Sequence, residues 1–254
     1  MIANDPLALS GAVEIIAHRG FSARAPENTI AALTLALEEG ATAVEFDLRT
    51  AGDGNPVLMH DKTLNRTTNG IGKVEELSLA ELAQLDAGSW FNSAFEGERV
   101  PSLAEALECL KVQVKTIFAE LKGEGTTQNL RNVVSITRAA GLLDKTVFIA
   151  KNWSLLDELR RHAPEALIGP IVERRKQTHE AFTRATNDPR CLLDFDARIL
   201  LKDPEIALYA KRNGVEVAVW TVDNIGDAAL LLDLGVRRIT TNQVGRMLAW
   251  ARTL

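Results

Sequence analysis

Eight short apolar runs separated by helical patterns leave few folds open to this chain. The runs are Glu14–Ala17, Thr42–Leu48, Thr116–Leu121, Thr146–Ala150, Ala166–Ile171, Cys191–Phe195, Val215–Thr221 and Arg237–Thr241. Helical segments are read over 127–140, closed by Gly141, and over 153–162. Others run from Asp203-Pro204 to Gly214 and over 225–234 before Gly235, and Val244, Met247 and Leu248 set a last helix against the strands. Residues 173–189 are polar, poorly patterned and assigned no element. Strand and helix in strict alternation predict parallel strands with crossover helices, and eight such units predict a (β/α)8 TIM barrel. An open doubly wound sheet would carry a glycine-rich phosphate loop after its first strand, and the single Gly20 does not make one. A length of 254 residues suits one barrel domain spanning 1–254.

The first unit is the most legible. Its strand ends in Ala17-His18-Arg19-Gly20, and Asn28 or Thr29 caps a helix with Ile30, Leu33 and Leu37 on one face. Gly40 stops that helix ahead of the second strand. Asp53-Gly54 then supplies a turn into a short extra strand, Val57–His60. Beyond it the rhythm breaks: Leu64 to Leu85 is mixed and polar, with Asn69-Gly70 as a turn and Ser78-Leu79-Ala80-Glu81 as a capping box. Residues 52–100 are therefore read as a small insertion between the second strand and its helix, which Pro101 and Ser102 begin.

Composition narrows the function classes. A net charge of −5, with no clustered Lys/Arg run, argues against nucleic acid as a partner. Cys109 and Cys191 fit no disulfide or metal framework and read as buried free thiols of a reducing compartment. No Lys or Arg precedes Arg19, so the basic start of a signal peptide is missing. No apolar run approaches the ~18 residues that span a bilayer. The expectation is a cytoplasmic protein without stable membrane insertion, and a homodimer stays open.

The chemistry-bearing residues gather where barrel enzymes keep their active sites, at the C-terminal ends of the strands. Glu45 and Asp47 are two apart, so both project from one face of the second strand, and Glu120 ends the third. Three carboxylates on neighbouring strands call for a cation between them, and oxygen ligands suit one hard divalent ion, Mg²⁺ or Ca²⁺. His18 and His60 each adjoin a charged partner and flank this strand, and an imidazole pair can take one proton and give another in a single cycle. His162 and His179 are read as structural, His162 at a helix C-terminus. Arg19 is suited to phosphate through its fork of donors and Lys122 as a point charge. Glu27 steadies the site or meets a ligand hydroxyl, Asn28 and Thr29 are accounted for by capping, and Trp220 either packs the barrel or forms an apolar wall beside substrate. Asp194 and Asp196 receive no role.

Taken together, His18-Arg19-Gly20, Pro26-Glu27-Asn28-Thr29, Glu45-Phe46-Asp47, Asp53-Gly54-Asn55-Pro56-Val57, His60-Asp61 and Arg66-Thr67-Thr68 resemble the signature of the glycerophosphodiester phosphodiesterase family, bacterial cytoplasmic type. Pro101-Ser102-Leu103-Ala104-Glu105, Glu120-Leu121-Lys122 and Val219-Trp220-Thr221-Val222 extend the resemblance over nearly the whole chain. It implies metal-dependent hydrolysis of a small-molecule glycerophosphodiester to glycerol 3-phosphate and an alcohol. It further implies His18 and His60 as acid and base, and Glu45, Asp47 and Glu120 as metal ligands. Attack by the glycerol 2-hydroxyl through a cyclic phosphate is the route it suggests. Two departures stand out: Ala150-Lys151-Asn152 where the family often has Ser-Phe, and Thr241-Asn242-Gln243-Val244 in place of Thr-Asp-x-Pro. The alternatives are a lysophospholipase-D-like or broad phosphodiesterase, and a non-catalytic barrel binding phosphorylated ligands. The first needs an apolar groove, and residues 61–100 show no amphipathic membrane helix. The second would be expected to have lost a histidine or carboxylate.

Overall fold

Side chains alternate in and out along a strand, and in this chain the alternation divides chemistry from packing. On β2 (Ala43–Thr50), the set Ala43, Glu45 and Asp47 faces the opposite way from Val44, Phe46 and Leu48, which pack in the layer under the helices. The computed structural model describes Leu7, residues 13–123 and residues 125–254. The expectation that rests on the first dozen residues, a missing signal start, falls outside these, Leu7 excepted.

The further strands are β1 (Glu14–His18), β3 (Pro56–Leu58), β4 (Thr116–Leu121), β5 (Thr146–Ala150), β6 (Leu167–Val172), β7 (Leu193–Asp196), β8 (Val217–Trp220) and β9 (Arg238–Thr241). Among the described residues, eight of them close a parallel ring in the order β1-β2-β4-β5-β6-β7-β8-β9, with β9 returning to β1. This is the (β/α)8 barrel that the alternation predicted. β3 pairs antiparallel with the end of β2, Leu48 opposite Leu58 and Thr50 opposite Pro56.

The helices are α1 (Ile30–Glu39), α2 (Leu79–Leu82), α3 (Leu103–Leu110), α4 (Thr127–Ala139), α5 (Trp153–His162), α6 (Thr178–Asn187), α7 (Ala197–Lys202), α8 (Pro204–Arg212), α9 (Ile225–Asp233) and α10 (Val244–Ala251). None is long and apolar enough to cross a membrane among the described residues. Ser102 caps α3 with a full capping box, its hydroxyl taking the Glu105 N–H while Glu105 returns to the Ser102 N–H at 2.8 Å. Two helices depart from expectation. Residues 173–189 contain α6, whose apolar stripe is only Ala181, Phe182 and Ala185; these are buried, and tertiary burial stabilises a pattern too sparse to read alone. α7 was also missed. It is six residues long, and the Asp196 carboxylate caps it by accepting the Arg198 N–H at 3.0 Å.

Two apolar layers hold the barrel. Inside, Ile16, Ala43, Phe118, Val147, Leu167, Leu192 and Ala218 pack against one another, and outside, a larger set joins the strands to the helices. Phe118 in the interior and Phe46, Phe148 and Phe195 outside it are all fully buried, each contributing ~1.5–3 kcal/mol by leaving water. At the N-terminal end, buried Arg238 on β9 donates to Glu14 (2.9 Å), Glu216 (2.8 Å) and the Leu7 carbonyl (2.9 Å). The insertion has its own small core of Ala51, Val57, Met59, Leu64, Val74, Leu82, Ala87 and Val100. Cys191 is buried and Cys109 half-buried, both free, and burial pushes the Cys191 thiol up to about 12.

Candidate active site

Inward-facing residues toward the C-terminal ends of all eight barrel strands surround one cavity of about 120 Å³. His18, Arg19, Glu45, His60, Glu120, Lys122, Lys151, Asp194 and Trp220 line it, with Ile149, Ile171 and Thr240. A larger cleft of about 340 Å³ lies alongside, over Arg49, Lys62 and Lys122, but neither histidine and none of the three carboxylates lines it. The smaller space is the one that brings both imidazoles together with Glu45 and Glu120.

The loop after β1 is shaped for this cavity. Arg19 and Gly20 both adopt the left-handed region, at φ 55° and 76°. A Cβ on Gly20 would meet the Ala32 backbone at 2.5 Å, so only glycine allows the loop to lie against α1. The turn aims the Arg19 N–H at Glu45 Oε2, 2.9 Å away. Arg19 Nε lies 3.1 Å from Asp47 Oδ2, and its Nη1 donates to Glu27 at 2.8 Å.

Thr29, with its hydroxyl on the Ala32 N–H, is the cap of α1. Asn28 is not, and capping does not account for it. At φ 59° it turns back into the barrel, donates to Asp47 Oδ2 at 2.8 Å and accepts the Asp47 N–H at 3.1 Å. Asn28 therefore holds the backbone and side chain of one acidic residue together.

One oxygen each from Glu45, Asp47 and Glu120 lies within 4.8 Å of the others. Lys122 Nζ bridges two of them, 2.9 Å from Asp47 and 2.7 Å from Glu120. Burial, reinforced by negative Asp47, pushes Glu45 well above the usual carboxylate range and Glu120 up to about 7. Burial opposes the charged form of Asp47 as well, but Lys122 and Arg19 outweigh it and hold Asp47 well below that range. Glu120 Oε1 is buried with no hydrogen-bond partner among the described residues. Three carboxylates against two cations leave spare acceptor capacity in a hard-oxygen setting, and the trio could hold a divalent ion.

Both histidines are anchored through Nδ1. His18 Nδ1 lies 2.7 Å from Asn242 Oδ1. The Asn242 amide cannot be turned around, because its Nδ2 donates to Asp223 Oδ2 at 2.8 Å and a carboxylate only accepts. His18 Nδ1 therefore carries the hydrogen, and Nε2 faces the cavity, 3.9 Å from Glu45 Oε2. His60 Nδ1 lies 2.7 Å from Asp61 Oδ1, and its carbonyl accepts from Arg49 Nε at 2.9 Å. Burial, with help from neighbouring cations, lowers both imidazoles below their ordinary value. Arg66 joins the two lobes of the site, donating to Asp61 at 2.7 Å and to both oxygens of Glu27 at 2.7 and 2.8 Å.

Sequence reading thus assembled most of the cavity but missed Asn28, Asp223, Asn242 and Arg66 as its supports. Arg66 and Asn28 stood inside recognised clusters, and Asn242 follows the end of β9, where a barrel keeps its chemistry. Asp196 proves to be a helix cap, and His162 closes α5, its Nε2 2.9 Å from Glu158.

Comparison with known proteins turns this geometry into a family. Residues 18–246 match the model of the glycerophosphoryl diester phosphodiesterase family. The chain belongs to that family. A glycerophosphodiester phosphodiesterase of Caldanaerobacter subterraneus subsp. tengcongensis is 33% identical over 235 residues, covering 90% of this chain and 93% of the relative. Among solved structures, an Oleispira antarctica phosphodiesterase in complex with the product sn-glycerol-3-phosphate superposes with a TM-score of 0.85 at 30% identity, covering 96% of this chain and 98% of the other. A glycerophosphodiester phosphodiesterase from Agrobacterium tumefaciens gives 0.77 at 28%, covering 92% and 97%. As a member of the glycerophosphoryl diester phosphodiesterase family, this chain is an enzyme, a phosphoric diester hydrolase.

Proposed function

We propose that the enzyme hydrolyses glycerophosphodiesters to glycerol 3-phosphate and an alcohol, with His18 and His60 as its proton-transfer pair. The observation that carries this is the pair of imidazoles on one cavity, each fixed at Nδ1 by an acceptor and lining the space beside three carboxylates. The Oleispira relative's complex with sn-glycerol-3-phosphate supports the product.

Glu45, Asp47 and Glu120 would hold a divalent cation, which when bound neutralises phosphoryl oxygens and favours the attacking oxygen. Arg19 and Lys122 bring fixed positive charge to the same place and would meet the phosphate's remaining oxygens. His18 is the more enclosed imidazole, its side chain 18% exposed against 33% for His60. We assign His18 the base at the closed end and His60 the acid at the mouth, where the departing alcohol leaves. The glycerol 2-hydroxyl gives its proton to His18 Nε2 and attacks phosphorus, while His60 protonates the leaving oxygen. Water then opens the cyclic phosphate with the roles reversed: His60 accepts the water proton and His18 returns one to the 2-oxygen. Intramolecular attack gains from orientation, up to roughly 7–11 kcal/mol at the favourable limit.

His18→Ala and His60→Ala should each lose at least ~10²-fold in kcat with substrate binding largely kept. His162→Ala should stay near wild type, and an equal collapse there would contradict the assignment. Glycerophosphocholine lacking the 2-hydroxyl should bind and remain uncleaved; turnover at a comparable rate would exclude the cyclic route.

A further inference from the structure

Asp194 has no part in the reaction just described, yet it lies in the same cavity. It stands on β7, four strands around the ring from β2, and so faces the carboxylate cluster from directly across the barrel. Asp194 is 3% exposed, no described residue hydrogen-bonds its carboxyl, and Oδ1 is buried outright. A buried carboxyl without a partner is costly, and one that a chain keeps calls for an explanation, of which a ligand that completes it is one. A second orphan lines the same cavity: Trp220 Nε1, a donor without an acceptor among the described residues.

An acceptor and a donor left open together restrict what answers them. An ammonium group only donates and would leave Trp220 unmatched, and the Lys151 ammonium already lies 5.4 Å from the Trp220 ring centroid. A phosphate has its own cations, Arg19 and Lys122, which follow β1 and β4 on the side of the ring away from β7. Burial and the charge on Glu120 push the Asp194 carboxyl well above the usual carboxylate range, and a hydroxyl, which both donates and accepts, can answer it and Trp220 together. The reading above already places a glycerophosphodiester in this cavity, and the glycerol end of that substrate carries such a hydroxyl.

We infer that Asp194 is a specificity-determining residue that accepts a hydrogen bond from the terminal hydroxyl of the substrate's glycerol, with Trp220 Nε1 donating to the same oxygen. This rests on the glycerophosphodiesterase reading above and sharpens it. An esterified or missing terminal hydroxyl offers Asp194 no hydrogen, so a substrate acylated at that position is rejected by an unpaired carboxyl as well as by size.

The test is a cycle of enzyme variant against substrate. Wild type, Asp194→Ala and Asp194→Asn are each assayed on glycerophosphocholine and on its analogue with methyl in place of the terminal hydroxymethyl. Wild type should prefer the native substrate by ~5–150-fold in kcat/KM, the cost of leaving one buried polar group without its partner. Asp194→Ala should lose most activity on the native substrate and little more on the analogue, closing the gap, and Asp194→Asn should retain part of it. The alanine variant should melt at or above the wild-type temperature, because an unpaired buried carboxyl has been removed. A preference undiminished in Asp194→Ala, equal losses on both substrates, or a marked fall in Tm would overturn the assignment. If wild type failed to cleave glycerophosphocholine at all, the underlying reading would fall and this inference with it.

Discussion

Asn28 shows how much one side chain can hold. Its amide meets the N–H and a carboxylate oxygen of Asp47 at once, so it sets the angle at which that acid faces Glu45 and Glu120. Supporting groups of this kind are commonly worth 10–100-fold in metal affinity or activity. Asn28→Ala should therefore weaken Mg²⁺ or Ca²⁺ binding by ~10–100-fold in a direct titration. Helix α1 should survive, because Thr29 still supplies its cap. Unchanged affinity would show that Asp47 is held well enough by Arg19 and Lys122 alone. In the sequence Asn28 passed for a cap because Asn and Thr are both good caps and stood side by side. What separates them is the left-handed turn at Asn28, which no neighbour spells out.

At the scale of elements, the insertion after β2 is the device that brings His60 to the barrel. β3 runs back antiparallel beside the last three residues of β2, and the Met59 N–H reaches the Asp47 carbonyl at 3.0 Å. Arg66 then ties the insertion to the β1–α1 loop through Asp61 and Glu27. The Arg66 guanidinium beside it, followed by His60, holds Asp61 down to about 2. A depressed carboxyl contributes stability that is present above its unfolded value of ~3.9 and lost as pH falls toward the folded one. Arg66→Gln should accordingly be less stable than wild type near pH 6, by ~1 kcal/mol or less for so exposed a pair. The difference should shrink as pH falls from about 4 to 2. Urea midpoints of both proteins across that range decide it, and a difference that grew on acidification would reverse the sign. The insertion's bounds, its turn at Asp53-Gly54 and its capping box were legible because turn and cap chemistry is local. α6 and α7 were not, since short helices draw most of their stability from the surface they cover.

For the whole molecule, the two ends of the barrel divide stability from chemistry. Arg238 ties β9, β1 and the β8 edge together at the N-terminal end, away from the cavity. Arg238→Ala takes the guanidinium from buried Glu14 and should cost ~3–5 kcal/mol in urea unfolding. The kcat of the protein that remains folded should be unchanged; a fall would mean that the floor of the barrel reaches the site. Strand alternation and the two-residue spacing of Glu45 and Asp47 were determined by sequence alone, because a pleated strand has a fixed period and the carboxylates sit on it. That placed the barrel, the acidic trio and both histidines. The tertiary structure decided the rest: Asn242 meets His18 across 224 residues only because β9 closes onto β1. Asp223 fixes the Asn242 amide, and Asp194 is left facing the acids across the ring. Such partnerships follow no period along the chain, since ring closure creates the neighbours and burial then makes every unmatched polar atom count.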